Sequence, residues 1–254
     1  MASEYYQNNN STFSGFSEEN VMSVDPRGFK SLLQSEADTF LKEEQVRLNS
    51  TVSVISYTEG GVRVALTDGQ ILTADYVICT FSLGVLQHQD VQFQPPLPLW
   101  KREAIHSMNM GAFSRRISTL PTAILQNELL SVLSSMFPSI NTTLPDGTTV
   151  PSTIPEPTAM HFHSWNDDPL FRGSYANWPP AFLAEHHANL RADLQGRVWF
   201  AGEATSKLYF GYLQGAYFEG QDIGMNVAEC IQAGGCLGLE HVELVKNARP
   251  YDIV

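Results

Sequence analysis

The sequence predicts an α/β protein, and three observations carry that prediction. Two short apolar runs without alternation, at residues 75–80 and 197–201, are typical of strands buried on both faces of a mostly parallel sheet. Apolar residues recur at helical spacing over roughly 26–43 and again over 212–232. Between residues 52 and 72, alternating apolar residues separated by turn signals indicate antiparallel strands. Helices and strands interleaved along one chain place the protein in the α/β class.

The N-terminal part contains the first helix and a meander. Asp25 and Pro26 suit the N-cap and the first position of the helix predicted over roughly 26–43. A three-stranded meander follows over 52–72, because glycine-containing turns at 59–61 and 68–69 separate its alternating segments. The meander leads directly into the buried strand at 75–80.

The middle of the chain is less regular. Three prolines make residues 93–98 a rigid connection, and we expect a short helix after it, carrying Trp100, Ala104 and Ile105. A helix-like segment at 124–137 is followed by a Pro/Thr-rich stretch, 138–157, which we expect to be a long, poorly ordered loop.

The C-terminal part combines a strand, a glycine and a long helix. We expect the strand at 198–201 to be central in its sheet. The helix at about 212–232 contains Gly215, Gly220 and Gly224, each of which costs about 1 kcal/mol relative to alanine. Something must therefore approach the backbone of this helix closely. The approaching group is either a packed neighbouring strand or a flat ligand lying over the first turn.

Charge and hydropathy exclude several classes of partner. The chain has 254 residues with 15 Lys and Arg against 27 Asp and Glu, a net charge of −12. This balance argues against nucleic acid or an anionic membrane as the main partner and suits a cationic ligand. No apolar run approaches the length of a membrane-spanning helix.

Several motifs are missing from the sequence. No Gly-x-Gly occurs, so neither a dinucleotide-binding fingerprint nor a phosphate-binding loop can be identified. Thr80 stands where the first glycine of a serine nucleophile elbow at Ser82 would be, which argues against a serine hydrolase.

Cysteine and histidine do not form a metal motif. Cys79 lies in an apolar run and is expected in the core, whereas a Cys230–Cys236 bridge is possible. The histidine pairs 161/163 and 186/187 have no carboxylate or thiol at ligand spacing, so no metal site is expected.

Several ordered segments resemble one known family. Gly202-Glu203-Ala204-Thr205 and the run from Tyr209 to Ala216, with Glu219-Gly220 close by, resemble the C-terminal signature of flavin-containing amine oxidases. Within that family the chain is most similar to the fungal polyamine oxidases. The likeness covers roughly residues 15–113 and 154–235, and upstream it rests on the segments 25–29, 48–52, 75–86, 96–98 and 110–111.

The resemblance implies a partial FAD-linked amine oxidase fold. Residues 20–110 and 182–240 would build part of the FAD-binding domain, and 111–181 a remnant of the substrate domain. The implied reaction is oxidation of an amine, in particular a polyamine, to an imine or aldehyde. FAD would be the cofactor and oxygen the final acceptor, with hydrogen peroxide released.

The resemblance also implies roles for single residues. Val52 would face the adenine, Gly202 and Glu203 the ribityl and pyrophosphate groups, and Trp165 would border the flavin. Tyr212, Leu213 and Ala216 would lie against the isoalloxazine ring. Tyr175 and Tyr212 would flank the substrate amine, the alternative for each being a buried core aromatic with a satisfied hydroxyl. Arg115 would occupy the position of the family's lysine near the flavin N5.

Physical chemistry supports two of these roles. A helix that begins at Tyr212 presents unpaired N–H groups, which would stabilise negative charge on a reduced flavin. Two facing tyrosines make an electron-rich slot that guides an amine and excludes water.

Three departures from the family pattern point to a truncated member. The glycine fingerprint is missing, the substrate-domain sheet is short, and the Arg115 guanidinium cannot accept a proton as a lysine amine can. The competing hypothesis is therefore a catalytically inactive fragment or pseudoenzyme that acts as a binding or interaction module. The sequence leaves the preferred amine, the oligomeric state and the compartment open.

Overall fold

A computed structural model of the chain describes residues 25–111, 122–157, 159, 163–180 and 183–244. The chain divides into two units, one formed by residues 1–111 and 175–254 and the other by 112–174. The proposed identity of these units as parts of a flavin domain and a substrate domain, with boundaries at 20–110, 111–181 and 182–240, stays a prediction.

The first sheet of the larger unit contains the predicted meander. Strands β1 (Val52–Thr58), β2 (Gly61–Leu66) and β3 (Ile71–Ala74) are antiparallel neighbours. Tyr57 pairs with Val62, and both side chains are buried, so the alternation in the sequence does select the core face. A further strand, β5 (Gln92–Gln94), pairs parallel to β1.

The second sheet consists of β4 (Val77–Cys79) and β10 (Val198–Phe200), which pair in parallel as the two apolar runs predict. Two details of the prediction are wrong. Among the described residues β10 has β4 as its one strand partner, so it is not central in a wide sheet. Ile78 of β4 is 36% exposed and does not belong to the core cluster that contains its partner Trp199, so β4 is not buried on both faces.

The first helix is shorter than predicted. Helix α1 spans Lys30–Ala37, with turns on either side, instead of 26–43. None of its residues is buried, and Phe29 and Phe40, which flank it, are 62% and 67% exposed. Since helices in proteins are held mainly by packing of an apolar face, nothing here stabilises additional turns.

Two helices follow β4. Helix α2 (Leu83–His88) begins after Ser82, whose hydroxyl accepts the Val85 N–H at 3.1 Å. Ser82 is therefore an N-cap residue. Helix α3 (Leu99–Ser107) is the short helix expected after the proline-rich connection, with Ala104 and Ile105 buried.

Lys101 of α3 is fully buried. Its ammonium donates to the carbonyls of Asn189, Leu190 and Ala192 at 3.2, 2.6 and 2.6 Å, and lies 3.5 Å from the centre of the Phe200 ring. These carbonyls belong to the last turn and the C-cap of the helix Ala184–Arg191, where unpaired carbonyls and the helix dipole attract a cation.

The smaller unit contains helix α4 (Thr122–Met136), close to the predicted 124–137, and a hairpin. Strands β7 (Ile140–Thr143) and β8 (Thr149–Ser152) pair where a long loop was expected, so that expectation is wrong for this part of 138–157. The turn signal is Asp146-Gly147: Gly147 has φ +85°, and the Asp146 carboxylate accepts the Thr148 N–H at 2.9 Å.

The remaining elements surround the end of the second sheet. Strands β6 (Asn109–Met110) and β9 (Ala176–Asn177) form a short antiparallel pair, and α5 spans Ala184–Arg191. A 3-10 turn, Glu203–Thr205, and helix α6 (Leu213–Gln232) follow β10. Ile223 and Val227 of α6 pack on Trp199 and Ala201, so α6 covers one face of β10.

The cysteines behave as the sequence allows. Cys79 is buried in the core next to Phe200, as predicted. Cys230 and Cys236 form a disulfide, which closes the loop after α6. Across the part of the chain that the structure describes, no helix is both long and apolar enough to cross a membrane.

Candidate functional site

The candidate site lies at the edge of the second sheet where β4 and β10 both end. The strands are parallel and in register, and the Ala201 N–H donates to the Cys79 carbonyl at 3.1 Å just beyond them. Among the described residues, a Cβ built on Gly202 would meet only the Phe81 carbonyl oxygen, at 4.0 Å. Ligands of open α/β sheets bind outside the carboxyl ends of the strands, and the backbone of Gly202 leaves room for one here.

Glu203 is the first residue of the 3-10 turn at this edge. Its Oε1 accepts the Ala176 N–H at 2.9 Å and also accepts the Gly211 N–H. Burial raises the pKa of Glu203 above its usual value, while these two N–H groups act in the opposite direction. The carboxylate therefore binds the backbone of β9 and of the loop before α6.

Helix α6 begins next to this turn without a capping side chain. Tyr212, its N-cap residue, has an extended backbone and makes no side-chain cap hydrogen bond, and the first turn contains no acidic residue. Leu213 is 58% exposed and Ala216 is also exposed. The partial positive charge at this helix end is thus not neutralised by a carboxylate of its own turn.

Of the three glycines in α6, Gly215 has a close neighbour. A Cβ at this position would lie 2.3 Å from the Tyr209 carbonyl oxygen and 3.3 Å from the Ser206 Cβ. The predicted close approach is therefore confirmed at Gly215, and the approaching group is the preceding loop. For Gly220 and Gly224 it is wrong within the described part of the chain, where no atom lies within 4 Å of an added Cβ.

Tyr175 and Tyr212 are each adjacent in the chain to a residue that is hydrogen-bonded to the Glu203 carboxylate. Tyr175 directly precedes Ala176, and Tyr212 directly follows Gly211, the two residues whose N–H groups Glu203 accepts. The Tyr175 carbonyl accepts the Gly111 N–H at 2.7 Å. Both tyrosines are partly buried. Their predicted role on either side of an amine stays a prediction.

A stacked aromatic pair joins the same two segments a second time. The rings of Trp178, just after β9, and Phe210, in the loop before α6, are parallel within 6° with centroids 4.5 Å apart. Phe210 is 2% exposed. The β9 segment and the loop are therefore joined by both polar and apolar contacts.

The other predicted site residues lie elsewhere. Val52 begins β1 in the first sheet, where it packs against the core that contains Phe200. Trp165 belongs to the smaller unit, is 39% exposed, and has its ring centroid 5.1 Å from that of Phe171. Arg115 lies outside the described residues. The flavin contacts and the catalytic position expected for these residues stay predictions.

Two buried basic side chains could not be identified from the sequence. Lys101 lies in a helix of mixed polarity, and no local pattern distinguishes it from an exposed lysine. His187 of α5 is 6% exposed, and burial lowers its pKa to about 4. Among the described residues, no three His, Cys, Asp or Glu side chains are grouped as metal ligands would be.

A family model matches most of the chain. The model of the flavin-containing amine oxidoreductases matches residues 4–150 and 111–223.

Three known proteins illustrate the similarity. Polyamine oxidase 6 of Oryza sativa subsp. japonica is 29% identical over 89% of this chain and 55% of its own length. Lysine-specific histone demethylase 2 of Homo sapiens is 26% identical over 69% of this chain and 27% of its own. Cyclohexylamine oxidase from Brevibacterium oxydans IH-35A superposes with a TM-score of 0.59 at 17% identity, over 80% of this chain and 52% of that one. The chain thus spans about half the length of the polyamine oxidase it matches, and the structural likeness establishes the partial amine oxidase fold.

Proposed function

The chain belongs to the flavin-containing amine oxidase family, and from this premise we propose that it carries the ring-binding side of an FAD site that oxidises amines, polyamines in particular. The products are an imine or aldehyde and hydrogen peroxide. The observation that carries the proposal is the convergence of three features at one edge of a parallel strand pair. These features are the open backbone at Gly202, the start of α6 without a side-chain cap, and one carboxylate that accepts the N–H groups of the residues next to Tyr175 and Tyr212.

The residues at this edge fit the ring end of FAD. Gly202 leaves space where a side chain would obstruct a ligand, and Leu213 and Ala216 offer exposed apolar surface on the first turn of α6. These residues, with Tyr212, would hold the isoalloxazine ring. When bound, FAD supplies the electron acceptor for the amine and passes the electrons on to oxygen.

The chain's own residues would then orient the substrate and stabilise charge. The N–H groups and dipole of α6 favour negative charge near its first turn. Tyr175 and Tyr212 provide aromatic faces that attract a cationic amine and keep water away from it. The net charge of −12 favours approach of a cation over a long range.

A specific observation favours a second candidate, a catalytically inactive binding module. The sequence has no Gly-x-Gly with which to hold the pyrophosphate of FAD. A second candidate for the substrate is a methylated lysine in a peptide, which the similarity to a histone demethylase suggests. Both amines are cationic, so the charge of the chain does not discriminate between them.

The test is peroxide release by the purified chain with added FAD. Spermidine, N-acetylspermine and a methyl-lysine peptide are compared, with Tyr212→Ala as the control variant. Turnover of a polyamine that disappears in Tyr212→Ala supports the proposal. Turnover of the peptide alone contradicts a polyamine substrate and supports a methylated lysine instead. Binding of FAD without turnover of any amine supports the binding module and contradicts catalysis by this chain.

A further inference from the structure

We infer that Glu203 is a positioning residue, whose Oε1 sets the separation of Tyr175 and Tyr212. The inference rests on the proposed function, in which these tyrosines form the two walls of the amine slot. It assigns Glu203 a task different from the contact with the ribityl and pyrophosphate groups that the family resemblance implies.

The first observation is that a single oxygen atom binds two distant segments. Oε1 of Glu203 accepts the N–H of Ala176, in β9, and that of Gly211, in the loop before α6. The Ala176 N–H belongs to the peptide unit that joins Tyr175 to Ala176. Because a peptide unit is planar and rigid, fixing this N–H also fixes the position of the Tyr175 carbonyl and Cα.

The second observation is the backbone conformation of Gly211. Its φ of +81° lies in the left-handed region that glycine adopts without strain. This conformation turns the chain between the N–H that Glu203 accepts and the extended backbone of Tyr212, where α6 begins. Glu203 and Gly211 together therefore fix the position of the Tyr212 backbone, from which α6 begins.

The third observation concerns the other kind of contact between β9 and the loop. Strand β9 has two residues, and its strand partner is β6 rather than the loop before α6. The ring of Trp178 also stacks on that of Phe210, so a ring contact joins the two segments as well. A ring stack tolerates sliding in its plane, whereas two hydrogen bonds to one oxygen fix direction and distance.

The chain offers a matched control in Asp193. Its buried carboxylate also accepts two backbone N–H groups, those of Gly196 and Leu239, and both of these residues lie outside the two tyrosine segments. Asp193→Ala therefore reproduces the loss of a buried double acceptor in the same unit. It does so without altering the residues next to Tyr175 or Tyr212.

The experiment uses the full chain labelled with 3-fluorotyrosine and without added FAD. Fluorine resonances of Tyr175 and Tyr212 are assigned with Tyr175→Phe and Tyr212→Phe. We expect both resonances to shift or broaden in Glu203→Ala and in Glu203→Asp, whose carboxylate is one methylene short. In Glu203→Gln, which keeps an oxygen at the same place, and in Asp193→Ala, they should stay as in the parent chain.

A second readout follows if the chain turns over an amine with FAD. Displacing a wall of the slot by about 1 Å lowers kcat/KM about 100-fold, and we expect this loss in Glu203→Ala but not in Glu203→Gln. The inference is overturned if Glu203→Gln perturbs the tyrosines as much as Glu203→Ala, because the charge rather than the acceptor geometry would then matter. Unchanged tyrosine resonances in Glu203→Ala and Glu203→Asp would overturn it too.

The two readouts separate this inference from the proposed function. If no amine is oxidised, the proposed function fails, and the fluorine spectra still decide whether Glu203 positions the tyrosines. If Glu203→Ala does not fold, the comparison of Glu203→Asp with Glu203→Gln carries the same decision. Gly211→Ala, which strains the left-handed turn, should move the Tyr212 resonance alone.

Discussion

Replacing Gly215 by alanine tests how the first turn of α6 is packed. The added Cβ would lie 2.3 Å from the Tyr209 carbonyl oxygen and 2.9 Å from the carbonyl carbon. Both atoms belong to the backbone, so no side-chain rotation relieves the contact. Either the start of α6 or the loop that contains Tyr209 must therefore move, and Tyr212 lies between them.

The size of the effect follows from two opposing terms. Alanine in a helix interior is about 1 kcal/mol better than glycine, whereas overpacking costs about 1–3 kcal/mol. Because the contact is with backbone, we take the upper end of that cost, and Gly215→Ala should destabilise the fold by about 2 kcal/mol. At Gly220 no described atom lies within 4 Å of an added Cβ. Gly220→Ala should therefore stabilise the fold by up to about 1 kcal/mol.

The assay is urea unfolding of the chain without cofactor, followed by far-ultraviolet circular dichroism and repeated as a thermal scan. The two variants should shift the midpoint in opposite directions, by roughly 2–4 °C in Tm for each kcal/mol in a chain of this size. Gly224→Ala, which also has no described neighbour within 4 Å, should behave as Gly220→Ala does. Equal shifts for Gly215→Ala and Gly220→Ala would refute the close packing of α6 on the loop.

Three further predictions concern buried groups and the cofactor. Burial lowers the pKa of His187 to about 4, below its unfolded value of about 6.5. The contribution of neutral His187 to stability should therefore be fully present above about pH 6.5, and the free energy of unfolding should fall by about 3 kcal/mol as the pH drops toward 4. In urea titrations at several pH values, His187→Leu should flatten this pH dependence. His106→Gln, at an exposed histidine, should leave the pH dependence unchanged. Lys101→Met removes the donor to three carbonyls and should lower stability by at least about 2 kcal/mol in urea unfolding, whereas Arg102→Ala, at an exposed neighbour, should change it by less than about 0.5 kcal/mol. Finally, the purified chain should lose FAD on gel filtration and emerge largely colourless; a stoichiometrically yellow protein would contradict this.

Local signals in the sequence predicted the parts of the fold that local physics determines. The meander of β1 to β3 follows from alternation and glycine turns, and β4 and β10 follow from continuous apolar runs. Each of these patterns reports which face of a strand is buried. The short helix α3 and the core position of Cys79 follow for the same reason.

The errors arise where long-range packing decides. Helix α1 has a helical pattern, but exposed Phe29 and Phe40 show that its apolar residues find little to pack against in the described chain, so it stops after eight residues. The hairpin of β7 and β8 was missed because proline and threonine outweighed the Asp146-Gly147 turn signal. The burial of Lys101 depends on carbonyls far away in the sequence.

The candidate site was predictable only through the family resemblance. That resemblance gave Tyr175, Tyr212 and Glu203, but no periodicity or spacing relates residue 176 to residue 211. The hydrogen bonds of Glu203 require both segments to be folded first. Sequence motifs thus nominated residues for the candidate site, and the structure was needed to show which atom joins two of its segments.

Around this site, buried carboxylates accept backbone N–H groups that have no partner in a regular helix or sheet. The elements that surround it are short: β9 has two residues, and the turn at Glu203 has three. Such elements leave backbone N–H groups without ladder partners, and a buried unpaired N–H is costly. A buried carboxylate can satisfy two of them at once: Glu203 does so with a single oxygen, and Asp193 with one N–H on each of its two oxygens. Because Glu203 bonds to the residues next to both tyrosines, we expect substitutions at Glu203 to displace the tyrosines far more than they lower global stability.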